Sequence, residues 1–166
     1  GSSASMLKII IHTGSGGSSR NWSEDKYLKL IESILKREQN SEIILTANEM
    51  TNNFVLKAMS MDNELIIDVR DSVKRLRDLI GIISNCDLLI AASTGPLHIA
   101  SALGIKTIGL FCHRPMNCSQ HWGALGKNAV NLEISKEYCD ANCSNDKEIC
   151  NFENGLGIDE VMKNLI

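Results

Sequence analysis

The sequence lacks the features that would place this chain in a membrane or on nucleic acid. No apolar run reaches the ~18 residues that a membrane-spanning helix needs, and no segment resembles a signal peptide. The 17 lysines and arginines are outnumbered by 20 aspartates and glutamates, for a formal net charge of −3. Because the chain is slightly acidic and has no basic stripe, the sequence disfavours nucleic acid as the main partner.

Cysteine is also scarce relative to the apolar content. Six cysteines in a chain that is 43% hydrophobic are too few for a disulfide scaffold. Cys86 and Cys112 flank or lie in predicted strands, where a free thiol behaves as a small apolar residue. These features favour a reducing, cytoplasmic compartment.

Three of the cysteines form a cluster near the C-terminal end. Cys139, Cys143 and Cys150 could be zinc ligands, with Cys118 or His121 as a fourth. Their spacing matches no standard structural zinc pattern, so we expect loop-packing thiols and no metal. A disulfide between Cys143 and either of its two neighbours in this cluster is possible on oxidation.

The chain also has no internal repeat, low-complexity tract or interdomain linker. Residues 1–5 (Gly-Ser-Ser-Ala-Ser) are interpreted as the remnant of an expression tag, and residues 6–166 as one domain. Short apolar runs predict strands at 7–11, 42–46, 64–69, 87–92, 106–112 and 129–134. Helical periodicity and capping residues predict helices at 24–39, 48–61, from a Ser72 cap through Ser84, after the 93–95 turn up to Gly104, and at 158–166.

Strands that alternate with helices predict βαβ units with right-handed crossovers. The expected fold is therefore a Rossmann-like, doubly wound parallel sheet of about six strands. Ligands of such sheets bind outside the carboxyl ends of the strands, near the point where strand order reverses. The loops at 12–22, 46–49 and 92–98 all open onto that edge.

The stretch from Asp87 to Gly104 carries the clearest functional pattern. An unbroken apolar run predicts a strand buried on both faces, and it breaks at Ser93-Thr94-Gly95 before a helix. Ser93 or Thr94 can cap this helix, and Pro96 suits its first position because its missing N–H has no partner there. Unpaired backbone N–H groups and the helix dipole at this end favour an anion. The pattern therefore predicts a phosphate site.

His98 is the third residue after this turn. The positive end of the helix disfavours imidazolium, so a neutral ring that donates one N–H to a ligand is expected. The alternative is a core histidine whose ring is hydrogen-bonded to a backbone carbonyl.

A glycine-rich segment follows the first strand. The N–H groups of Gly14 to Ser19 can turn toward an anion, and the guanidinium of Arg20 can pair with a phosphate. The pattern is neither a Walker A loop nor a complete dinucleotide fingerprint, and a mobile surface loop is the alternative. Glu49 follows the second strand, where a carboxylate can accept a hydrogen bond from a ribose hydroxyl or simply stabilise a helix dipole.

Several of these segments resemble glycosyltransferase family 9, the ADP-heptose–lipopolysaccharide heptosyltransferases. The resemblance is carried by IHTGSGGSSRNW (11–22), STGPLHIASALG (93–104) and TIGLF (107–111), with Trp122-Gly123 and the trailing cysteine loop also fitting. It covers essentially residues 7–166 and is to the C-terminal, nucleotide-sugar-binding domain of that family. The resemblance therefore implies the C-terminal half of a GT-B type glycosyltransferase.

The resemblance also implies roles for particular residues. The family's diphosphate-contacting basic residue falls on Arg20, its phosphate-binding hydroxyl residues on Thr13, Ser15 or Ser18, and its nucleoside-contacting acid on Glu49. The predicted donor- and phosphate-binding set is Thr13, Gly14, Ser15, Ser18, Arg20, Ser93, Thr94, Gly95, Pro96, Leu97 and His98.

One position departs from the family pattern. The motif Asp-Thr-Gly-x-x-His falls on Ser93, Thr94, Gly95 and His98, so serine stands where many members have aspartate. A hydroxyl cannot supply a carboxylate's charge, which removes support for a contact to the donor's sugar hydroxyls and leaves the donor sugar open.

The resemblance implies an enzyme that moves heptose or a related sugar from ADP to a lipopolysaccharide-core or similar acceptor. The catalytic base and the acceptor site of such enzymes belong to an N-terminal domain that these residues do not include, so this chain alone is expected to bind donor without transferring sugar. No cofactor is expected, and the whole enzyme could associate peripherally with the cytoplasmic face of a membrane. The alternatives are a stand-alone nucleotide-binding or regulatory module and, less favoured, a nicotinamide-dependent oxidoreductase domain.

Overall fold

The fold is organised around one sheet in which every pair of neighbouring strands is parallel. The computed structural model describes residues 7–13, 24–38, 40–46, 50–62, 64–92, 95–111, 129–133, 137 and 157–165. The strands are β1 (Leu7–His12), β2 (Ser41–Leu45), β3 (Ile66–Asp68), β4 (Leu88–Ala92), β5 (Lys106–Phe111) and β6 (Ala129–Glu133). Their order in the sheet is β3-β2-β1-β4-β5-β6, which confirms the predicted six-stranded, doubly wound α/β fold.

Helices cover both faces of this sheet. They are α1 (Glu24–Arg37), α2 (Asn52–Met61), α3 (Leu76–Ser84), α4 (Gly95–Ala102) and α5 (Ile158–Lys163), with a short 3₁₀ turn at Arg70–Ser72. Successive strand side chains point to opposite faces, so Ile9 and Ile11 pack with α1, α2 and α5 while Ile10 packs with α3 and α4. The apolar strands are buried because each face has its own layer of helices.

Helix α1 follows its sequence pattern closely. Helical spacing predicts an inward face of Tyr27, Leu30, Ile31, Ile34 and Leu35. The structure buries the first four of these together with Leu28, and Leu35 is half-buried. Glu24 and Asp25 in the first turn, and Lys36 and Arg37 in the last, complement the helix dipole.

Two helices begin later than the sequence predicted. Helix α2 starts at Asn52 because the Thr51 hydroxyl accepts the N–H of Phe54, which makes Thr51 the N-cap. Helix α3 starts at Leu76, four residues after the predicted Ser72 cap. The Asp78 carboxylate accepts the backbone N–H groups of Lys74 and Arg75, and this reach back to the residues before the helix sets its first turn.

The inward face of α3 also differs from the expected one. Helical spacing predicts an inward face of Val73, Leu76, Leu79, Ile80 and Ile83. Leu76 is instead 63% exposed, and Ile83 is the fully buried residue of the helix. Leu76 is the first residue of the helix, so it lies at one end of the apolar face. No helix in the described parts of the chain is long and apolar enough to cross a lipid bilayer.

Candidate functional site

The carboxyl ends of β1, β2 and β4 lie side by side. Strand β1 pairs with β2 on one side and with β4 on the other, and His12 at its end is in register with Ala91. The order of the sheet reverses between β1 and β4, and this is where doubly wound sheets open a crevice for ligands. Strands β1 and β4, whose following segments are predicted to bind phosphate, therefore end at adjacent positions of the sheet.

Helix α4 begins at this edge. Gly95 is its first residue and Pro96 its second, so Pro96 lies one position further into the helix than expected. The N–H groups of the first turn have no partner within the helix, and the partial positive charge of the helix end adds to them. Gly104, at φ +78°, follows α4 in the left-handed conformation that ends helices, as the sequence predicted.

Leu97 and His98 are neighbours with opposite surroundings. The Leu97 side chain is fully buried, in the cluster that Ile10, Leu89 and Ala100 form beneath α4. Leu97 can therefore contribute only its backbone to a ligand. His98 is exposed, which makes the alternative of a core histidine wrong and leaves its ring accessible.

The remaining predicted site residues divide into two groups. Thr13 directly follows β1 at the same edge and is half-buried. The others lie outside the described residues: Gly14, Ser15, Ser18, Arg20, Glu49, Ser93 and Thr94. Cys112, Cys118, His121 and the cluster formed by Cys139, Cys143 and Cys150 also lie outside them.

A hydrogen bond that the sequence analysis missed joins two of the strand ends. His12 Nδ1 lies 2.8 Å from Thr46 Oγ1, and Thr46 is only 3% exposed. His12 is the last residue of β1 and Thr46 the first residue after β2. Because Ile11 is in register with Leu45, the two side chains meet. The only sequence signal was that each apolar run ends in a polar residue.

A second feature missed from sequence is an ion pair at the end of β3. Both Asp68 carboxylate oxygens accept from the Arg70 guanidinium, with Nη2 at 2.8 Å and Nε at 3.0 Å. The Arg70 Nη1 donates to the backbone carbonyl of Met50 at 3.0 Å. This bond ties the end of β3 to the residues that precede α2.

The pair also shifts the titration of both groups. Partial burial alone would raise the pKa of the Asp68 carboxyl, but the hydrogen bonds and positive charge of Arg70 outweigh it, and the net pKa is lowered. The hydrogen bond to Asp68 raises the pKa of Arg70 further above its usual range. Both groups are therefore charged across the physiological pH range.

A third contact comes from α1. One oxygen of the Glu24 carboxylate accepts the backbone N–H of Thr51 at 2.9 Å, and the other accepts the Thr51 hydroxyl at 2.8 Å. Because that hydroxyl also accepts from Phe54 N–H, Glu24 orients the group that caps α2.

The fold defines a Rossmann-like α/β domain in which the carboxyl ends of β1, β2 and β4 lie side by side at one edge of the sheet. The family model for glycosyltransferase family 9 (heptosyltransferase) matches residues 4–151. The chain belongs to this family, as the resemblance of its motifs implied.

Individual relatives agree with this assignment. A Haemophilus influenzae protein named as a candidate glycosyltransferase is 35% identical over 122 residues, which are 74% of this chain and 35% of the relative. The Escherichia coli ADP-heptose lipopolysaccharide heptosyltransferase II shares the fold with a TM-score of 0.68 at 13% identity, over 98% of this chain and 46% of that enzyme. E. coli heptosyltransferase WaaC solved with ADP gives a TM-score of 0.67 at 12% identity, over 98% and 44% of the two chains.

The relatives are much longer than this chain. This chain spans about a third of the Haemophilus protein and just under half of either E. coli enzyme. The match alone therefore does not assign the activity of those whole proteins to this chain.

Proposed function

We propose that residues 6–166 form the donor-binding domain of a glycosyltransferase that transfers heptose or a related sugar from an ADP-sugar to a lipopolysaccharide-core or similar acceptor. The observation that carries the proposal is the placement of the ends of β1 and β4 next to each other at the reversal of strand order. A diphosphate at that point would face the segment after β1 and the N-terminal end of α4 together. Family membership supplies the class of reaction.

In this proposal the diphosphate is bound by groups from both segments. The backbone N–H groups at the start of α4 would bind the diphosphate, and His98 is exposed in the same turn. Arg20, Thr13, Gly14, Ser15 and Ser18 would contribute from the segment after β1, and Ser93 and Thr94 from the segment after β4.

These groups assist the departure of the nucleoside diphosphate. Negative charge grows on the leaving group as the bond from the sugar to the phosphate breaks. Fixed N–H dipoles and a guanidinium stabilise that charge without reorganising. The domain's role is therefore electrostatic stabilisation and orientation, and the groups that act on the acceptor belong to a part of the enzyme outside this chain.

The proposed nucleoside contact is Glu49, which directly precedes Met50 in the sequence. The ADP found with E. coli WaaC, and the ADP-2-deoxy-2-fluoro heptose found with the same enzyme, support an adenine nucleotide sugar as the donor class. Ser93 in the place of the family's aspartate keeps the donor sugar open between heptose and a related sugar.

The test is a calorimetric titration of the chain with ADP. Replacing Arg20 by alanine removes a charge-assisted contact and is expected to weaken ADP binding by about tenfold or more. The control is Lys29→Ala, which removes one positive charge from the exposed face of α1. Equal ADP affinity of the Arg20 variant and the unaltered chain would contradict the role of Arg20.

A stand-alone nucleotide-binding or regulatory module is the second candidate. It also predicts ADP binding, so the two are separated by an assay of sugar transfer. Protein extended to the full length of its relatives, incubated with ADP-heptose and a lipopolysaccharide-core acceptor, is expected to release ADP, whereas residues 6–166 alone are not. A full-length protein that binds ADP but transfers no sugar to any such acceptor would favour the module.

A further inference from the structure

Three side chains from separate elements anchor the connection between β2 and α2. His12 at the end of β1 bonds to Thr46, the first residue after β2. At the other end of the connection, Arg70 bonds to Met50 and Glu24 bonds to Thr51. We call Met50 and Thr51 the anchored pair.

The Arg70 anchor has a fixed direction. Its guanidinium is held by Asp68 through Nε and Nη2, and such a two-point contact fixes the plane of the group. Nη1 is then aimed at the Met50 carbonyl. The Arg70 and Asp68 side chains are 22% and 21% exposed, so the pair is screened less than a surface ion pair.

The Glu24 anchor acts on Thr51, the next residue of the same segment. It accepts both the N–H and the hydroxyl of Thr51, so Thr51 is held from α1 while Met50 is held from the end of β3. Charged side chains from two separate elements therefore hydrogen-bond to adjacent residues of the anchored pair. Hydrogen bonds of this kind restrain Met50 and Thr51 without a contribution from a ligand.

Helix α2 does not need both anchors to form. Its N-cap is supplied by Thr51 itself, and its apolar face is buried through Phe54, Val55 and Ala58. The anchors instead add directional hydrogen bonds to the apolar packing that already holds the Met50 side chain in the core. Ordering a binding segment in advance lowers the entropy lost on binding.

We propose that Arg70 and Glu24 are positioning residues for the nucleoside half of the donor site. They hold the anchored pair, which directly follows Glu49 in the sequence, at the edge beside β1 and β2. This inference rests on the proposed function, because it assigns the nucleoside half of the donor to this part of the edge and the diphosphate to the ends of β1 and β4.

The experiment separates the two halves of the ligand. ADP and inorganic pyrophosphate are titrated into the chain, with binding followed by amide chemical shifts, which register even millimolar affinity. Arg70→Met, which keeps most of the apolar stem, is expected to weaken ADP binding at least fivefold and to leave pyrophosphate binding within about twofold. The matched control is Lys57→Met, which removes an exposed positive charge from α2 and is expected to change neither.

Further variants guard against a purely structural effect. Glu24 lies on a different element, and Glu24→Gln should give the same selective loss of ADP binding. This variant therefore tests the inference even if the Arg70 variant does not fold. Arg70→Lys keeps the charge and one donor and should recover part of the lost affinity. Because both anchors act on one segment, the Arg70→Met and Glu24→Gln changes combined should weaken ADP binding less than the product of their separate effects.

The outcomes distinguish this inference from the proposed function. If the unaltered chain binds pyrophosphate and ADP but the anchor variants weaken both equally, or weaken neither, the positioning role is refuted while the donor site stands. If the unaltered chain binds no ADP, the proposed function fails and this inference fails with it.

Discussion

The adjacent residues Leu97 and His98 allow a sharp test of how the start of α4 works. Leu97 is fully buried beneath the helix, whereas His98 is exposed beside it. Truncating each to alanine should therefore affect different properties of the protein. Leu97→Ala should lower stability and spare ligand binding, and His98→Ala should do the reverse.

The expected magnitudes follow from burial. Removing a fully buried leucine side chain costs about 2–5 kcal/mol, and in a chain of this size each kcal/mol lowers the melting temperature by about 2–4 °C. Leu97→Ala should therefore melt about 4–20 °C lower. His98→Ala should stay within about 0.5 kcal/mol, as an exposed substitution does. Loss of a hydrogen bond to a charged phosphate costs about 1.5–3 kcal/mol, so this variant should bind ADP at least tenfold more weakly.

The assay pairs thermal unfolding with ADP titration at a temperature where all variants are folded. Leu103→Ala is the matched control, since Leu103 follows the same helix but is 45% exposed, and it should melt close to the unaltered chain. Leu97→Ala should keep its ADP affinity within about threefold, because its backbone N–H remains. An unchanged melting temperature for Leu97→Ala would refute the packing argument, and an unchanged ADP affinity for His98→Ala would refute the ligand role.

Two further predictions concern glycine and cysteine. Gly81→Ala should stabilise the protein by about 1 kcal/mol, since the site is helical and the new methyl group has open space. Gly104→Ala should destabilise it by about 1–2 kcal/mol because φ is +78°. Urea denaturation measures both changes in the free energy of unfolding, and changes of the same sign would contradict the reasoning. Burial raises the pKa of the Cys86 thiol from 9.0 to about 11, so its contribution to the free energy of unfolding is full below pH 9 and lost between pH 9 and about 11. Iodoacetamide at pH 8 should alkylate Cys86 only after denaturation, as peptide mass spectrometry would show, and rapid labelling of the native chain would refute its burial.

Much of the fold could be predicted because local patterns decided it. Strand β1 is a run of branched apolar residues, and α1 repeats apolar residues at helical spacing over 14 residues. The alternation of strands and helices along the chain predicts a doubly wound parallel sheet. The errors lie at helix starts, where Thr51 and Asp78 make short-range hydrogen bonds that compete with the predicted caps.

The site was predictable only in part. The helix after β4 was predicted from the break at 93–95 and from Pro96, but the sequence could not show that Leu97 belongs to the core and His98 to the surface. The bond between His12 and Thr46 joins residues 34 apart in the chain, and the bond from Arg70 to Met50 joins residues 20 apart. No local pattern marks such pairs.

The sequence by itself determined which segments become strands and helices, because hydrophobic periodicity and backbone preferences act over a few residues. It also determined the family, through motifs that are contiguous in the chain. Only the tertiary structure decided which strand ends meet, because strand order and register depend on how both faces of the sheet are covered. The strand order places β1 between β2 and β4. The same fold brings His12, Arg70 and Glu24 to the residues that connect β2 with α2.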